Sequence, residues 1–425
     1  MTGTAAAILV IGGGGREHAL CWKIHRDRPA ARLFAAPGNG GIGELATLLP
    51  IQADDIGAIV AWCRDARPDL VVVGPDLPLA LGVVDALASV GVPAFGPSAA
   101  AARIESSKAW AADVSSAAGL PMPESHAFDS ADAADAFIDW RGQAFVVKAD
   151  GLALGKGVFI CDTVGECHAT IDRLMRQREL GPAGTSVVLQ ERLTGDELSV
   201  FAITDGTTVR VIGSARDHKR IHDGDRGPNT GGMGAFTPVP GVDSEALAAI
   251  EIAILTPALA ELRRRGCPFV GFLYAGLMLT ADGPRVIEFN SRMGDPEAQV
   301  LLPLLDFDLV EAMTRAIEGD LAAWEPRDAP GAAVCVVLAS EGYPGQYATG
   351  KLIHGLAPAA ISVRATTPSK RMRRAPAYAR CRASPSVAPR PVTPRTRPPA
   401  VSHWPFSRRV PAWNSNVSAA AGASP

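Results

Sequence analysis

Over the first hundred residues, short uninterrupted apolar runs alternate with amphipathic stretches. Residues 8–11, 32–35 and 70–73 read as strands, and residues 17–25 as a helix between the first two. Runs without polar alternation imply strands buried on both faces, as in a parallel sheet covered by helices on each side. Residues 1–105 are therefore expected to form a doubly wound α/β domain, with its ligand loops at the carboxyl ends of the strands. A helical stretch containing Lys108 follows, and Pro121 and Pro123 punctuate its end, which marks entry into a second domain over residues 106–330. Here strands are expected at 145–148, 187–191, 198–204, 208–214, 274–279 and 285–290, with glycine-rich loops between them. Residues 200–211 read as a hairpin turning at Asp205 and Gly206, so this part is an α+β nucleotide-binding unit. Residues 331–355 begin another subdomain with a strand at 333–339. Beyond about Leu356 the periodicity fails: residues 356–425 are dense in Pro, Arg, Ala and Ser and are expected to be disordered.

Composition sharpens this picture. A chain of 425 residues with 47% hydrophobic content can furnish cores for several domains. The seven cysteines stand singly with no CxxC pair, which argues against zinc, thioredoxin chemistry and a disulfide framework, and favours a reducing cytoplasm. The first ten residues place no cationic region before their apolar run, so a buried strand is expected there and not a signal peptide. No stretch approaches the roughly 18 apolar residues of a membrane span. The formal net charge is −3, yet no Asp or Glu follows Glu341, while 2 Lys and 11 Arg lie from Lys351 onward. The body is acidic and the tail basic. The Arg and Pro of the tail are not interleaved with aromatic platforms, so no nucleic-acid partner is expected, nor a membrane.

Four segments carry candidate chemistry. Gly12-Gly13-Gly14-Gly15-Arg16-Glu17-His18 follows a strand and opens a helix, where free backbone N–H groups suit a phosphate. A tight turn without ligand fits as well. Glu17 stands where a dinucleotide fingerprint needs its third glycine, and no acid ends the second strand, so NAD is disfavoured. The segment from Lys148 to Gly157 delivers Lys148 from a strand, then Gly151, Lys156 and Gly157 in a flexible loop. Two cations and a mobile backbone can cover a triphosphate, although the spacing is not that of a P-loop, and a solvated hairpin tip fits the loop equally well. From Gln190 to Glu197, the acids Glu191 and Glu197 flank a glycine turn and could accept ribose hydroxyls, or simply face solvent. From Val286 to Glu297, Glu288 and Asn290 share one strand face, and their hard oxygens suit a Mg²⁺ bridging phosphates, or form a polar solvent face. Arg292 projects the same way if the strand continues. Two more stretches, Asp217-His218-Lys219-Arg220 and Pro228 to Gly234, could orient a phosphate or amine and let backbone approach a ligand, or be plain loops. His18, His218 and His222 read as ordinary hydrogen-bonded histidines.

In this order the motifs resemble one family, the glycinamide ribonucleotide synthetases of purine biosynthesis, which are ATP-grasp ligases. The resemblance rests on Gly12 to Leu20, Pro37 to Gly40, Val73-Gly74-Pro75-Asp76, Ser107-Lys108, Lys148 to Gly157, Asp217 to Arg220, Pro228 to Gly234, Gly271 to Leu277 and Ile287 to Glu297. It implies an ATP-grasp fold over residues 106–330, with a lid over about 120–190. It also implies ligation of glycine to 5-phosphoribosylamine with ATP and Mg²⁺ or Mn²⁺, through glycyl phosphate, by a monomer. On the same footing Lys108, Lys148, Gly151, Lys156, Gly157, Glu191 and Glu197 would hold ATP, and Glu288 and Asn290 the metal. Gly14, Asn39, Asp76, Asn229, Gly294 and Asp295 would line the substrate side, with Arg292, Lys219 and Asp217 as the catalytic group. After Gly355 the family's chain continues into a C-terminal α/β subdomain whose pattern is not found here; a shifted reading frame would produce such a tail. Two rival readings follow: another ATP-grasp carboxylate–amine ligase, and a disabled ATP-binding remnant.

Overall fold

The computed structural model describes residues 6–153, 157–224, 226–348 and 350–352, so Lys156 and the expected disordered tail lie outside the described residues. Strand β1 (Ala7–Gly12) leads through helix α1 (Gly15–Asp27) to β2 (Arg32–Pro37) and β3 (Thr47–Leu48). Helix α2 (Ile56–Ala66) precedes β4 (Leu70–Val73), and α3 (Asp76–Ala80) and α4 (Val83–Ser89) precede β5 (Ala94–Phe95). All pairings are parallel, in the order β3-β2-β1-β4-β5. Side chains alternate across a strand. Leu9, Ile11, Val71 and Val73 accordingly pack with Ile59, Cys63, Val83 and Leu87 of α2 and α4. Ile8, Val10 and Val72 face the other way, onto Ala19, Leu20 and Ile24 of α1. The uninterrupted apolar runs thus report a sheet covered on both faces, as expected.

Helices α5 (Ala99–Ser106) and α6 (Lys108–Ala117) meet at Ser107, which is extended and caps α6 by accepting from the Trp110 N–H at 3.2 Å. Strands β6 (Ser125–Phe128), β7 (Val146–Ala149), β8 (Val158–Ile160) and β9 (Val187–Gln190) form a small antiparallel sheet, order β6-β9-β7-β8. It shares its core with α7 (Ala131–Arg141) and α8 (Val164–Ile171).

The larger antiparallel sheet is built on β10 (Asp196–Asp205) and β11 (Val209–Asp217), joined by the expected turn at Asp205 and Gly206. A two-stranded excursion, β12 (Arg220–His222) and β13 (Arg226–Asn229), precedes β14 (Gly234–Thr237). After α9 (Ser244–Ile250) and α10 (Thr256–Arg264) come β15 (Val270–Thr280) and β16 (Gly283–Asn290). Helices α11 (Glu297–Leu301) and α12 (Leu309–Glu318) and the strand β17 (Ala333–Val336) complete the order β16-β15-β10-β11-β14-β17. Strands β10 and β11 outrun their expected limits, because pairing continues through polar ends such as Asp196, Glu197 and Asp217, where an apolar pattern stops; β15 begins earlier than expected, at Val270, where it pairs with the end of β10. Conversely the strand expected over 333–339 holds only four residues. Among the described residues no helix is long and apolar enough to cross a membrane.

Candidate active site

The glycine turn after β1 is organised from within. Glu17 accepts from the Gly14 N–H at 2.6 Å and from Arg16 Nε at 2.6 Å, and is almost wholly buried. A Cβ on Gly74 would stand 2.2 Å from Glu17 Oε1, so the carboxylate fills the space beneath the turn. The expectation that these amides are free for a phosphate is corrected here, since one of them already binds a carboxylate whose charge opposes a second anion. Asn39 is likewise spent on the turn: its Nδ2 donates to Gly13 O at 3.1 Å, and its Oδ1 accepts from the N–H groups of Gly41 and Ile42 at 2.9 Å each. Arg16 donates to Met293 O at 3.1 Å, and a Cβ on Gly14 would come within 3.2 Å of Asp295 Oδ2, so the turn abuts the segment after β16.

At the heart of the large sheet, Lys219 lies among three carboxylates: Glu197 at 2.8 Å, Glu288 at 3.8 Å and Asp217 at 4.0 Å. Although burial alone would lower it, attraction to Asp217, Glu197 and Glu288 raises the Lys219 ammonium well above its ordinary value. Burial pulls the Asp217 carboxyl upward against Lys219. Glu288 feels the same burial, but Lys219, Lys148, Lys108 and Arg292 outweigh it and hold it below the usual carboxylate range. Lys148 is buried and donates to Ile287 O at 2.8 Å, and desolvation pulls its ammonium down to about 8. Lys108, also lowered by burial, donates to Gly151 O at 3.2 Å. Asp150 accepts from the Ala109 N–H at 2.7 Å and ties the start of α6 to the end of β7.

Strand β16 stops at Asn290, so Arg292 does not continue its face; the turn returns the guanidinium, whose Nη2 donates to Asn290 Oδ1 at 3.2 Å. Glu288 and Asn290 do share a face, opposite Gly276 and Tyr274 of β15. A carboxylate held ionised two residues from an amide oxygen fits a hard divalent cation. Among the described residues no group of three His, Cys, Asp or Glu could hold a metal, so the chain would supply few of the ligands and leave the rest to phosphate and water, the habit of Mg²⁺. Asn290 Nδ2 and Arg292 Nε are buried without a partner, which suits an anionic oxygen.

Other expected residues lie apart or serve the frame. Glu191, just past the end of β9, accepts from the Glu124 N–H at 3.3 Å. Asp76 acts electrostatically on Lys108 and Arg292, and Asn229 pairs with Arg220 in the excursion. Gly157 accepts from the Ala149 N–H at 2.8 Å, inside the hairpin. Gly151 leaves no room for a Cβ beside Ala183. Two glycines of 228–234 are packed against protein: Cβ atoms would meet Pro296 Cδ at 2.4 Å from Gly232 and Cys335 O at 2.5 Å from Gly234. His218 stacks on Phe236, facing away from Lys219.

Four participants have no role assigned from the sequence. Glu297 is buried, accepts from Ser199 Oγ at 3.2 Å, and is raised by burial and by Asp217 to about 7. Ser199 in turn contacts the Tyr274 hydroxyl at 2.9 Å. Glu105, on α5, binds Ser291 and Arg292. Glu297 and Tyr274 fall inside motif stretches already noted, while Glu105, near Arg103 on α5, reads in sequence as an ordinary charged helix residue.

The family described as phosphoribosylglycinamide synthetase matches this chain in two parts, its N domain over residues 6–105 and its ATP-grasp (A) domain over residues 106–298. The chain is 47% identical over 356 residues to a phosphoribosylamine–glycine ligase of Rhodopirellula baltica, covering 82% of each protein. A crystal structure of the phosphoribosylamine–glycine ligase of Thermotoga maritima superposes with a TM-score of 0.72 at 32% identity, over 81% of this chain and 83% of that one. A biotin carboxylase of Campylobacter jejuni, 16% identical, shares the fold with a TM-score of 0.64 over 80% of this chain and 77% of that one.

Proposed function

The chain belongs to the phosphoribosylamine–glycine ligase family, and from that premise we propose that it joins glycine to 5-phosphoribosylamine at the expense of ATP, giving glycinamide ribonucleotide, ADP and phosphate. The observation that carries this reading is the cluster in which Lys108, Lys148, Lys219 and Arg292 surround Glu288, with unpartnered polar atoms of Asn290 and Arg292 beside it. Such a site can gather a polyphosphate, a cation and a carboxylate in one enclosed place.

Lys108 and Lys148 hold the ATP phosphates, with the loop through Gly151, Lys156 and Gly157 closing over them. Glu191 and Glu197 bind the adenosine. Glu288 and Asn290 hold Mg²⁺ or Mn²⁺, which supplies charge neutralisation on the phosphates when bound. Arg292 orients the glycine carboxylate, whose oxygen attacks the γ-phosphorus and releases ADP, leaving glycyl phosphate. The phosphoribosylamine nitrogen, held on the side of Gly14, Asn39, Asp76, Asn229, Gly294 and Asp295, then attacks the acyl carbon. Phosphate departs, and the surplus amine proton passes to Asp217, whose burial beside Lys219 supports a basic role. Water must be excluded meanwhile, or it would take the acyl group.

The division at residues 105 and 106 is supported by the abutting family matches. A lone chain acting in the cytoplasm completes the proposal; the described cysteines are unpaired thiols, in keeping with a reducing compartment. Phosphate release measured with ATP, Mg²⁺, glycine and fresh phosphoribosylamine, omitting each in turn, tests it. Release that needs every component is expected. Release sustained by another carboxylate in place of glycine, or nucleotide binding without turnover, would overturn it.

A further inference from the structure

Glu105 closes α5, three residues before Lys108, and is 8% exposed. Its Oε2 accepts from the Ser291 N–H at 2.8 Å and from Ser291 Oγ at 2.7 Å, and its Oε1 accepts from Arg292 Nη2 at 2.5 Å. One carboxylate therefore receives three hydrogen bonds from two consecutive residues just past the end of β16. Arg292 is held along the other side as well, by Asn290 Oδ1 at 3.2 Å and Met293 O at 3.3 Å. Only Nε lacks a partner, so the fork is turned with an unused donor in a buried place.

We propose that Glu105 is the positioning residue for Arg292, fixing the guanidinium so that its free donor meets the carboxylate of the amino-acid substrate. The proposal rests on the ligase reading above. Glu105 touches no reacting atom and acts through Arg292. A carboxylate is a costly way to join a helix to a turn, since burying one is unfavourable unless it is paired and hydrogen-bonded, and an apolar contact would hold the backbone at less cost. What the carboxylate adds is direction: the bond to Nη2 selects one orientation of a planar fork. The same short junction also starts the ATP side. Ser107 Oγ donates to Asp150 at 3.2 Å and Lys108 to Gly151 O, so the groups for both reactants hang from residues 105–108.

The test is Glu105→Gln, which keeps the shape and loses the charge, turning an amide N–H₂ or a weaker acceptor toward Arg292. We expect kcat/KM for glycine to fall by about 10- to 100-fold, while the KM for ATP moves by less than about threefold. In the pair E105Q and R292K, the double variant should lose little more than R292K alone, because the two act as a unit. Glu105→Asp, retaining the charge with a shorter reach, should recover part of the loss. Unchanged glycine kinetics in E105Q overturn the proposal, as do equal losses for glycine and ATP or losses that multiply in the double variant. Should E105Q not fold, the E105D and R292K cycle decides by the same criterion of non-additivity. Absence of glycine-dependent phosphate release in the unaltered chain would instead overturn the ligase reading, before any variant is compared.

Discussion

Lys148 stands in the sequence on a strand that leads into a glycine loop, and its enclosure in the fold gives it a measurable signature. With its ammonium brought down to about 8 by burial, much of it is neutral in the free protein just above that pH. A polyphosphate binds the charged form, so above pH 8 binding must first take up a proton. ATP affinity is therefore expected to weaken about fivefold from pH 8 to 9 and to approach tenfold per pH unit above that, by proton linkage. Calorimetric titration across that range checks it, and Lys148→Met should bind weakly and lose the slope. Glu297 gives the opposite case. Its folded carboxyl titrates near 7 against an ordinary 4.5, raised first by burial and then by Asp217. The folded protein thus binds the extra proton at this group, so the contribution of Glu297 to stability is fullest below 4.5 and falls as pH rises to 7, by a cost on the order of 3 kcal/mol. Glu297→Gln should flatten the thermal midpoint over pH 4.5–7, and a midpoint as steep as before would refute the assignment. Neither Glu297 nor Glu105 could be singled out by spacing, because their environments are made by residues distant in sequence: Ser199 lies 98 positions from Glu297, and Ser291 lies 186 from Glu105.

Strand β16 shows how an element arranges what its residues cannot arrange alone. Its pairing with β15 slips between Gly276 and Leu277, so that Glu288 and Val286 face consecutive residues and Ile287 is the extra one. A bulge leaves such a residue out of the ladder, and the Ile287 carbonyl turns to accept from Lys148. Opposite Glu288 stands Gly276, where a Cβ would lie 2.8 Å from Glu288 Cγ. Gly276→Ala is therefore expected to displace the Glu288 carboxylate and lower turnover by about 100-fold, with a smaller effect on folding of roughly 1–3 kcal/mol from overpacking. Comparing kcat with the denaturation midpoint separates the two. The period-two pattern foretold the hairpin at Asp205 and Gly206 and the shared face of Glu288 and Asn290, since both follow from alternation. It could not reveal the bulge, because one inserted residue in an apolar run leaves the composition of that run unchanged. For the same reason a glycine needed against protein, such as Gly232 beside Pro296, reads in sequence like one kept open for a ligand.

The amino-terminal sheet and the large antiparallel sheet are joined most firmly through α1, whose amino end carries the glycine turn and whose carboxyl end holds residues 303–309. Lys23 is fully buried; it pairs with Asp27 and donates to Phe307 O at 2.5 Å, while Asp27 accepts from the Leu309 N–H at 3.0 Å. Arg26 donates to Pro303 O at 3.1 Å and Leu305 O at 2.8 Å, and Arg28 pairs with Asp308. In a one-dimensional reading these are three unremarkable basic residues on a helix, because their partners come about 280 positions later. Removing the charge of Lys23 as Lys23→Met leaves Asp27 with Arg26 at 3.5 Å and the Leu309 N–H, but leaves Phe307 O without its donor, a defect worth about 1–3 kcal/mol. Lys23 also lies some 12 Å along α1 from Gly15, at the rise of a helix, so kinetic constants should hardly change below the unfolding temperature. If α1 makes the two sheets one cooperative body, K23M should unfold in a single transition at lower denaturant, with protection by ATP lost over that same transition. Two transitions, the second still protected by ATP, would show instead that the large sheet and its nucleotide site stand without the amino-terminal sheet, and that α1 serves the substrate side alone.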